Sequence, residues 1–384
     1  MEDRSYYKKL LERSLGIPFT SGNSVSVLKN GNQIFPAMLK AIADSEERIE
    51  FLTFVYWKGA IAEKFAHALA EKAKDNVEVS VILDSFGAAS IPPELHELMV
   101  ESGVHVEWFR PIKNWKVWKV DNRTHRKVLI CDGEVAFTGG VGIAEEWEGD
   151  ANDKNEWRDT HFEITGPAVF GLKAAFMENW IETGQRLKFD HFIETDPNPD
   201  HKTDIQVIRT SASVRWSDII MLYLSLILMA RESIYITTAY FNPNSTILNY
   251  LIEAAERGVD VQIMVPGRHT DQEAARIAGD ESFQPLLDAG AHLWYYQKTM
   301  LHSKVITIDG IVSCVGSANF NHRSMLKDDE VNVVILDKDV AGILNGHFME
   351  DLESGDKISE DRWRRRSLFR RITEKLSNLF SQQI

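Results

Sequence analysis

Cysteine is scarce in this sequence: the 384 residues include two, Cys131 and Cys314. Two thiols cannot build a disulfide framework, which excludes the class of small secreted proteins held together by disulfides. Both cysteines lie in apolar runs with a strand-like pattern. We therefore expect them to be buried, unpaired thiols in a reducing compartment.

Long hydrophobic runs are also missing. The longest extends from Ile219 to Ala230 and is interrupted by Ser225, so it is too short to span a bilayer and predicts a buried helix. The first residues, MEDRSYYKKLLERSLG, include acidic residues and no apolar core, which does not fit a signal peptide. We expect a protein without a transmembrane segment and without export.

Positive charge is in deficit, with 43 basic against 57 acidic residues and a net charge of −14. A nucleic acid requires a basic binding surface, so we expect no nucleic-acid partner. The remaining composition, 44% hydrophobic and 26% charged, is that of a soluble globular protein with two or three domains.

One motif occurs twice. Residues 301–320, LHSKVITIDGIVSCVGSANF, and residues 124–143, THRKVLICDGEVAFTGGVGI, share the pattern His-x-Lys-x4-Asp, followed at the same offset by Gly-Ser or a glycine pair. Two matches in register are hard to ascribe to chance. The matching residues are His125, Lys127, Asp132, Gly139 and Gly140 in the first motif and His302, Lys304, Asp309, Gly316 and Ser317 in the second.

The second motif predicts a hairpin. Residues 305–308 alternate as a strand, Asp309-Gly310 predicts a tight turn, and residues 311–315 predict the returning strand. Side chains two residues apart share a face, so the hairpin collects an imidazole, an ammonium, a hydroxyl and an amide, which together suit a phosphate group. Taken alone, each histidine also fits an ordinary strand residue. The four side chains are those of His302, Lys304, Ser317 and Asn319.

With these paired motifs the chain resembles the phospholipase D superfamily, from about Ser24 to Asp337. The segments HRKVLICDGEVAFTGG and GSANFNHRS are most similar to the bacterial cardiolipin synthases within it. The resemblance implies an α/β fold of duplicated phospholipase D-like α/β/α domains, each a mixed sheet flanked by helices. The two would pack about a pseudo-twofold with one active site at their interface.

The chain also repeats its own order of strands and crossover helices: residues 232–241 match residues 47–56, and residues 251–266 match residues 69–84. We expect five segments. They are an N-terminal helical extension at 1–23, a first half at 24–186, a linker at 187–203, a second half at 204–350 and a basic amphipathic tail at 351–384.

The resemblance implies roles for the two motifs. His125 is the nucleophile that forms a covalent phosphohistidine, and His302 acts first as acid and then as base. Lys127 and Lys304 offset the negative charge of the phosphoryl oxygens. No cofactor is implied, no metal is required, and the sequence shows no metal-ligand spacing.

Four carboxylates accompany the motifs. Asp132 and Asp309 lie five residues beyond the lysines, too far along the chain to join the histidine–lysine face, so we expect a structural role. Asp159 in WRDTHFEI and Glu330 in DEVNVVI each head an apolar strand. Each can accept a hydrogen bond from an imidazole Nδ1–H and so direct Nε2 towards phosphorus, although an ordinary carboxylate at a strand end is the alternative.

The phosphate-binding residues implied by the family are Gly140, Ser317 and Asn319. The first motif departs from the family pattern, because Gly142 stands where an asparagine is expected. We expect the phosphate cradle to be one amide short on that side, so that Gly142→Asn raises activity.

Two segments point to a membrane surface. WFRPIKNWKVWKVDNR interleaves tryptophans with lysines, which is typical of a membrane interface, although a packed strand with a solvated lysine edge fits equally well. Residues Arg362 to Phe380 combine an apolar helical face with clustered arginines, which is typical of an anchor on an anionic phospholipid surface. A helix docked on the domain is the alternative. We expect a peripheral protein on the cytoplasmic side of the membrane.

Together these features favour a phosphatidyltransferase of the cardiolipin synthase type, with phosphatidylglycerol as donor and acceptor. The alternatives are a phospholipase D-type hydrolase of phospholipids or other phosphodiesters, with a nuclease disfavoured by the acidic charge, and a catalytically weak lipid-binding homologue, suggested by Gly142. The sequence leaves the oligomeric state open.

Overall fold

The structure, a computed structural model, describes residues 2–111, 122–187, 197–212, 217–360 and residue 363. Within these residues, fifteen strands form one mixed sheet and two short strands form a separate parallel pair. Most of the tryptophan–lysine insert and the tail beyond residue 363 fall outside the described residues, so the predictions made for them stay predictions.

Among the described residues, the first half of the chain contributes seven strands and five α-helices. The strands are β1 (Thr20–Lys29), β2 (Arg48–Thr53), β3 (Glu78–Asp84), β4 (His105–Phe109), β5 (Val128–Cys131), β6 (Val135–Gly139) and β7 (Thr160–Thr165). The helices are α1 (Glu2–Leu15), α2 (Asn30–Asp44), α3 (Ala60–Lys74), α4 (Pro93–Glu101) and α5 (Ala168–Glu182).

The second half, in the described ranges, supplies ten strands and six α-helices. The strands are β8 (Thr203–Thr210), β9 (Ser233–Thr237), β10 (Phe241–Asn242), β11 (Asp260–Pro266), β12 (His292–Tyr296), β13 (Val305–Ile308), β14 (Val312–Gly316), β15 (Phe320–Asn321), β16 (Glu330–Leu336) and β17 (Gly355–Lys357). The helices are α6 (Asp218–Met229), α7 (Ser245–Glu256), α8 (Glu273–Gly279), α9 (Phe283–Asp288), α10 (His322–Leu326) and α11 (Lys338–Leu352).

The two halves repeat one topology. The first runs β1-β7-β6-β5-β2-β3-β4 across the sheet, and the second runs β8-β16-β14-β13-β9-β11-β12. β1 and β8 pair antiparallel, with Thr20 opposite Ile205, and this pairing joins the halves into one sheet. The predicted duplicated α/β fold is therefore confirmed.

Each half of the chain also has a hydrophobic core of its own. α2, α3 and α4 share a core with strands of the first half, and α6, α7 and α9 share one with strands of the second. A third core contains α5 and α11 together with strands from both halves. Since this third core spans the junction, it holds the halves in a fixed relation and so fixes the cleft between them.

The sequence pattern predicts several elements well. The run from Ile219 to Ala230 forms the buried helix α6, and the amphipathic segments at 60–74 and 93–101 form helices α3 and α4. Cys131 and Cys314 are buried and unpaired. None of the helices in the described ranges is long and apolar enough to cross a membrane.

Two chain boundaries differ from expectation. β1 already begins at Thr20, inside the predicted N-terminal extension. At the other end, β17 pairs with β12, and Trp363 is buried with its ring 5.4 Å from that of Phe283, so the first part of the predicted tail belongs to the folded body. The domain limits given above otherwise stay a proposal.

Candidate active site

The histidines of both motifs meet at the junction between the halves. Each lies just before a strand, His125 ahead of β5 and His302 ahead of β13, and not within it as the pattern suggested. The backbone N–H of His125 donates to Asp329 O (2.9 Å), and that of His302 donates to Arg158 O (2.7 Å). Each motif is thus held against the strand entry of the opposite half.

Across this junction, each histidine pairs with a carboxylate from the other half. Nδ1 of His125 lies 3.1 Å from both carboxylate oxygens of Glu330. Nδ1 of His302 lies 2.8 Å from Oδ2 of Asp159. With Nδ1–H donating in each pair, Nε2 is left as the atom that can face a substrate. Both carboxylates predicted to orient a histidine therefore contact one.

Burial favours the neutral form of both imidazoles. It lowers the pKa of His125 to about 4, even though Glu330 acts in the opposite direction. Burial, together with the neighbouring ammonium of Lys304, lowers the pKa of His302 to about 3. For Asp159 burial raises the pKa, but the hydrogen bonds from His302 and Trp147 and the nearby positive charges together outweigh that, and the net pKa lies well below the usual range.

The two lysines are buried beside the histidines. Nζ of Lys127 donates to the carbonyl oxygen of His125 (2.7 Å), and Nζ of Lys304 lies 3.1 Å from Nε2 of His302. Burial lowers the pKa of Lys127 to about 7 and that of Lys304 to about 8, and the positive charge of Lys304 contributes to the lowering at Lys127. The negative charge of a phosphodiester entering here favours the charged form of both ammonium groups.

His125, Lys127 and His302 line one cavity of about 840 Å³ with two unlike walls. The first half supplies an aromatic wall, and the second half supplies a polar one. The aromatic wall contains Phe54, Trp57, Phe86, Trp147 and Trp157, while the polar wall contains Tyr240, Asp271, Gln272, Asn319, Asn321, Arg323, Ser324 and Asp328. Such a cavity suits an amphipathic substrate that carries a phosphate.

Sequence reasoning missed the aromatic wall. Trp147 and Trp157 lie with their ring centroids 5.2 Å from the His302 ring, and Phe54 lies 5.2 Å from that of His125. The sequence did contain a signal for the two tryptophans. Both lie in residues 145–159, EEWEGDANDKNEWRD, which end at Asp159, one of the carboxylates predicted to orient a histidine.

Asp132 and Asp309 lie at the far ends of the motif hairpins, away from the cavity. Asp132 accepts hydrogen bonds from the backbone N–H groups of residues 46–48, and Asp309 accepts them from residues 231–233, all at 2.8–2.9 Å. Each aspartate ties its turn to the start of the neighbouring strand, which supports the structural role expected for both.

The three residues expected to bind phosphate do not lie together. Asn319 lines the cavity, and no hydrogen-bond partner for its buried Oδ1 exists among the described residues. Ser317 instead donates its hydroxyl to Glu330 Oε2, and Gly140 lies against Asp159. The last two residues therefore border the carboxylates behind the histidines.

The structure corrects the expectation for Gly142. A side chain there would place Cβ 2.6 Å from Cβ of Val55 and 3.3 Å from the Trp147 ring. The position is not an empty part of a phosphate cradle, because Val55 and Trp147 already fill the space of the expected asparagine.

Gly142→Asn is therefore expected to lower both stability and activity, in contrast to the sequence-based prediction. Overpacking at such a site costs about 1 to 3 kcal/mol of unfolding free energy. Thermal unfolding and turnover of Gly142→Asn and Gly142→Ala measure this, with Gly342→Ala as control, since a Cβ at Gly342 meets nothing within 4 Å. An asparagine variant more active than wild type would restore the cradle interpretation.

Comparison with known proteins yields one family and a set of relatives. Residues 38–155 and 223–352 match the family described as "Cardiolipin synthase, PLD-like domain". Cardiolipin synthase 1 of Bacillus cereus is 30% identical, over 99% of this chain and 77% of that protein. A cardiolipin synthase of Staphylococcus aureus is 30% identical, over 94% of this chain and 74% of that protein.

Solved structures agree on the fold. A phosphatidylserine synthase from Haemophilus influenzae superposes with a TM-score of 0.74 at 12% identity, covering 99% of this chain and all of that one. A polyphosphate kinase from Porphyromonas gingivalis gives a TM-score of 0.55 at 12% identity, over 86% of this chain and 50% of that one. At such low identity these likenesses describe the architecture alone.

Proposed function

The chain belongs to the phospholipase D superfamily, in its family of PLD-like cardiolipin synthases, and we propose that this phosphatidyltransferase forms cardiolipin and glycerol from two molecules of phosphatidylglycerol. One observation carries the proposal. Two histidines, each paired with a carboxylate from the opposite half, line a single cavity, and a buried lysine lies beside each of them.

In the first step, Nε2 of His125 attacks the phosphorus of the donor. The P–N bond forms as the bond from phosphorus to the glycerol oxygen breaks, and His302 gives its proton to the departing alkoxide. The product is a phosphatidyl group on His125 together with free glycerol.

In the second step, the primary hydroxyl of a second phosphatidylglycerol attacks the same phosphorus. His302, now neutral, takes the hydroxyl proton while the new P–O bond forms and the P–N bond breaks. Water in place of that hydroxyl gives phosphatidic acid, which is the outcome of hydrolysis.

The electrostatics of the site fit this sequence of steps. Because both imidazole pKa values are lowered, His125 is ready as a nucleophile at neutral pH, whereas His302 still needs a proton. The negative charge of a bound phosphodiester raises the pKa of nearby imidazoles and ammoniums. Substrate binding therefore promotes protonation of His302 and keeps Lys127 and Lys304 charged.

Lipid mass spectrometry after incubating the purified protein with phosphatidylglycerol vesicles tests the proposal. We expect cardiolipin and glycerol in equal molar amounts, and little phosphatidic acid. Phosphatidic acid as the main product would make the protein a hydrolase, and no turnover at all would favour the lipid-binding alternative.

Membrane attachment through the tail is a separate prediction, based on the sequence of residues 364–384. Basic residues near an anionic surface contribute about 1 kcal/mol each, and the apolar face of the helix then inserts. Deleting residues 364–384 is expected to release the protein from anionic vesicles and leave turnover of detergent-dispersed lipid intact. The deletion starts after Trp363 because that residue packs in the core.

Sedimentation with anionic vesicles measures this, with neutral vesicles as control. Replacing the tail arginines by glutamine separates the two contributions, since it removes the charge and keeps the apolar face. Equal sedimentation of full-length and shortened protein would contradict the anchor and leave a helix docked on the domain.

A further inference from the structure

The two histidine–carboxylate pairs differ in what holds the carboxylate. Glu330 accepts a hydrogen bond from the hydroxyl of Ser317, which lies in the Gly-Ser that follows the second motif. The matching residue of the first motif is Gly140, which has no hydroxyl. The pair formed by His302 and Asp159 therefore lacks the donor that its counterpart has.

Position 140 has no room for such a donor. A Cβ on Gly140 would lie 2.6 Å from Oδ2 of Asp159, so the carboxylate itself fills the space that a serine would need. Aspartate is one methylene shorter than glutamate, and its carboxylate lies correspondingly closer to its own backbone. The glycine and the aspartate thus fit each other, and the second hydrogen bond has to come from elsewhere.

It comes from an indole. Nε1 of Trp147 donates to Oδ2 of Asp159 at 2.9 Å, and this oxygen also accepts from Nδ1 of His302 at 2.8 Å. Oδ1 accepts from the backbone N–H of Thr160 at 2.8 Å. A carboxylate with no exposed surface requires such donors, because an unpaired buried charge is strongly destabilising.

The Trp147 ring has little freedom to move. It is 2% exposed and lies at the end of a 3₁₀ turn, Glu145–Trp147. Its centroid is 4.5 Å from that of Trp157, and it meets the His302 ring edge-on at 5.2 Å. One rigid side chain thus contacts both members of the pair.

We propose that Trp147 is a positioning residue for His302, replacing through its indole N–H the hydroxyl that Ser317 supplies to the other pair. The proposal rests on the function proposed above, in which His302 is the proton donor. It adds that the two pairs are held by separate donors, so that each can be perturbed alone.

The chemical consequence concerns the basicity of the carboxylate. A donor on Oδ2 shares the negative charge of Asp159, so its loss makes the carboxylate more basic and stabilises the imidazolium of His302. The high-pH limit of turnover, where the acid loses its proton, then moves to higher pH. By the same reasoning, loss of the Ser317 hydroxyl makes Glu330 more basic and raises the pKa of His125. The low-pH limit of turnover, below which this nucleophile is protonated, then moves to higher pH.

The other charged groups around the histidines are unchanged when the side chain of Trp147 or Ser317 is replaced. Lys304 and Lys127 face both rings, and Arg158 bonds to the carbonyl oxygen of Asp159. Asp271 acts on Lys304 from the polar wall.

The test compares Trp147→Phe with Ser317→Ala, with glycerol release from a short-chain, water-soluble phosphatidylglycerol as readout across pH. We expect Trp147→Phe to lower kcat roughly tenfold to hundredfold, the range known for groups that orient metal-bound histidines, and to raise only the high-pH limit. Ser317→Ala should raise only the low-pH limit. Trp180→Phe, a similar loss of packing in α5, should move neither.

Two further measurements exclude a purely structural effect. Isosteric β-(3-benzothienyl)alanine at position 147 keeps the shape and removes the N–H, so it should reproduce the pH shift with a smaller loss of thermal stability than Trp147→Phe, which also loses packing. In histidine-labelled protein without substrate, the Nδ1–H proton of His302 should shift in both Trp147 variants and hold its position in Ser317→Ala.

The outcomes separate the two proposals. Trp147 variants with wild-type pH limits and an unmoved His302 resonance would overturn the role of Trp147, whatever the enzyme's product. No glycerol release from wild type would instead refute the proposed function, and the His302 resonance would still decide the role of Trp147.

Discussion

Replacing His125 or His302 with alanine lowers transfer by about 10⁴-fold or more. The reaction needs a nucleophile and a proton carrier in the same cycle, so either loss stops it. The two replacements together should cost little more than either alone, because residues that act as one unit are not additive. Cardiolipin formation by the purified variants measures this.

The matched control is His67→Ala, which changes an exposed histidine on α3, remote from the cavity. It should retain wild-type turnover. Activity that survives both active-site replacements would rule out a histidine-based transfer, whichever histidine is assigned to attack.

Replacing Lys127 or Lys304 with methionine is expected to lower kcat roughly 10²- to 10³-fold, the range for losing one preorganised electrostatic partner of the transition state. Methionine keeps much of the buried volume and removes the charge. Because the charge of Lys304 lowers the pKa of His302, Lys304→Met should also move the high-pH limit of turnover upwards.

Steady-state kinetics across pH measure both effects, and Lys298→Met, which changes an exposed lysine, is the control. A rise in KM with unchanged kcat would show that the lysines act in ground-state binding alone. That result would remove them from the transition-state argument.

Local pattern predicted much of the fold. Helices α3 and α4 show amphipathic spacing with clear ends, and the motif hairpin is encoded by alternation and by Asp309-Gly310, whose φ values of 54° and 60° suit a tight turn. Because the sequence repeats internally, the order of elements in the first half also predicts that in the second. These features depend on neighbours in the chain, which is why sequence reasoning reaches them.

The arrangement of the site depends on distant contacts and was only partly predictable. His125 and Glu330 are 205 residues apart, and no spacing rule states that each histidine takes its carboxylate from the opposite half. Gly142 shows the same limit, because Val55 lies beside it through pairing of two distant segments, in which the backbone N–H of Ile143 donates to Val55 O.

The covalent intermediate on His125 tests the central claim most directly. A phosphatidyl ester of p-nitrophenol needs no acid to release its leaving group, so His302→Gln protein should still be labelled by it but should lack the base that resolves the intermediate. We predict a burst of one equivalent of p-nitrophenol per chain and, in mass spectrometry, a phosphatidyl group on the peptide that contains His125. Labelling of His302 in His125→Gln protein, with none on His125 in the first variant, would contradict the assignment of roles.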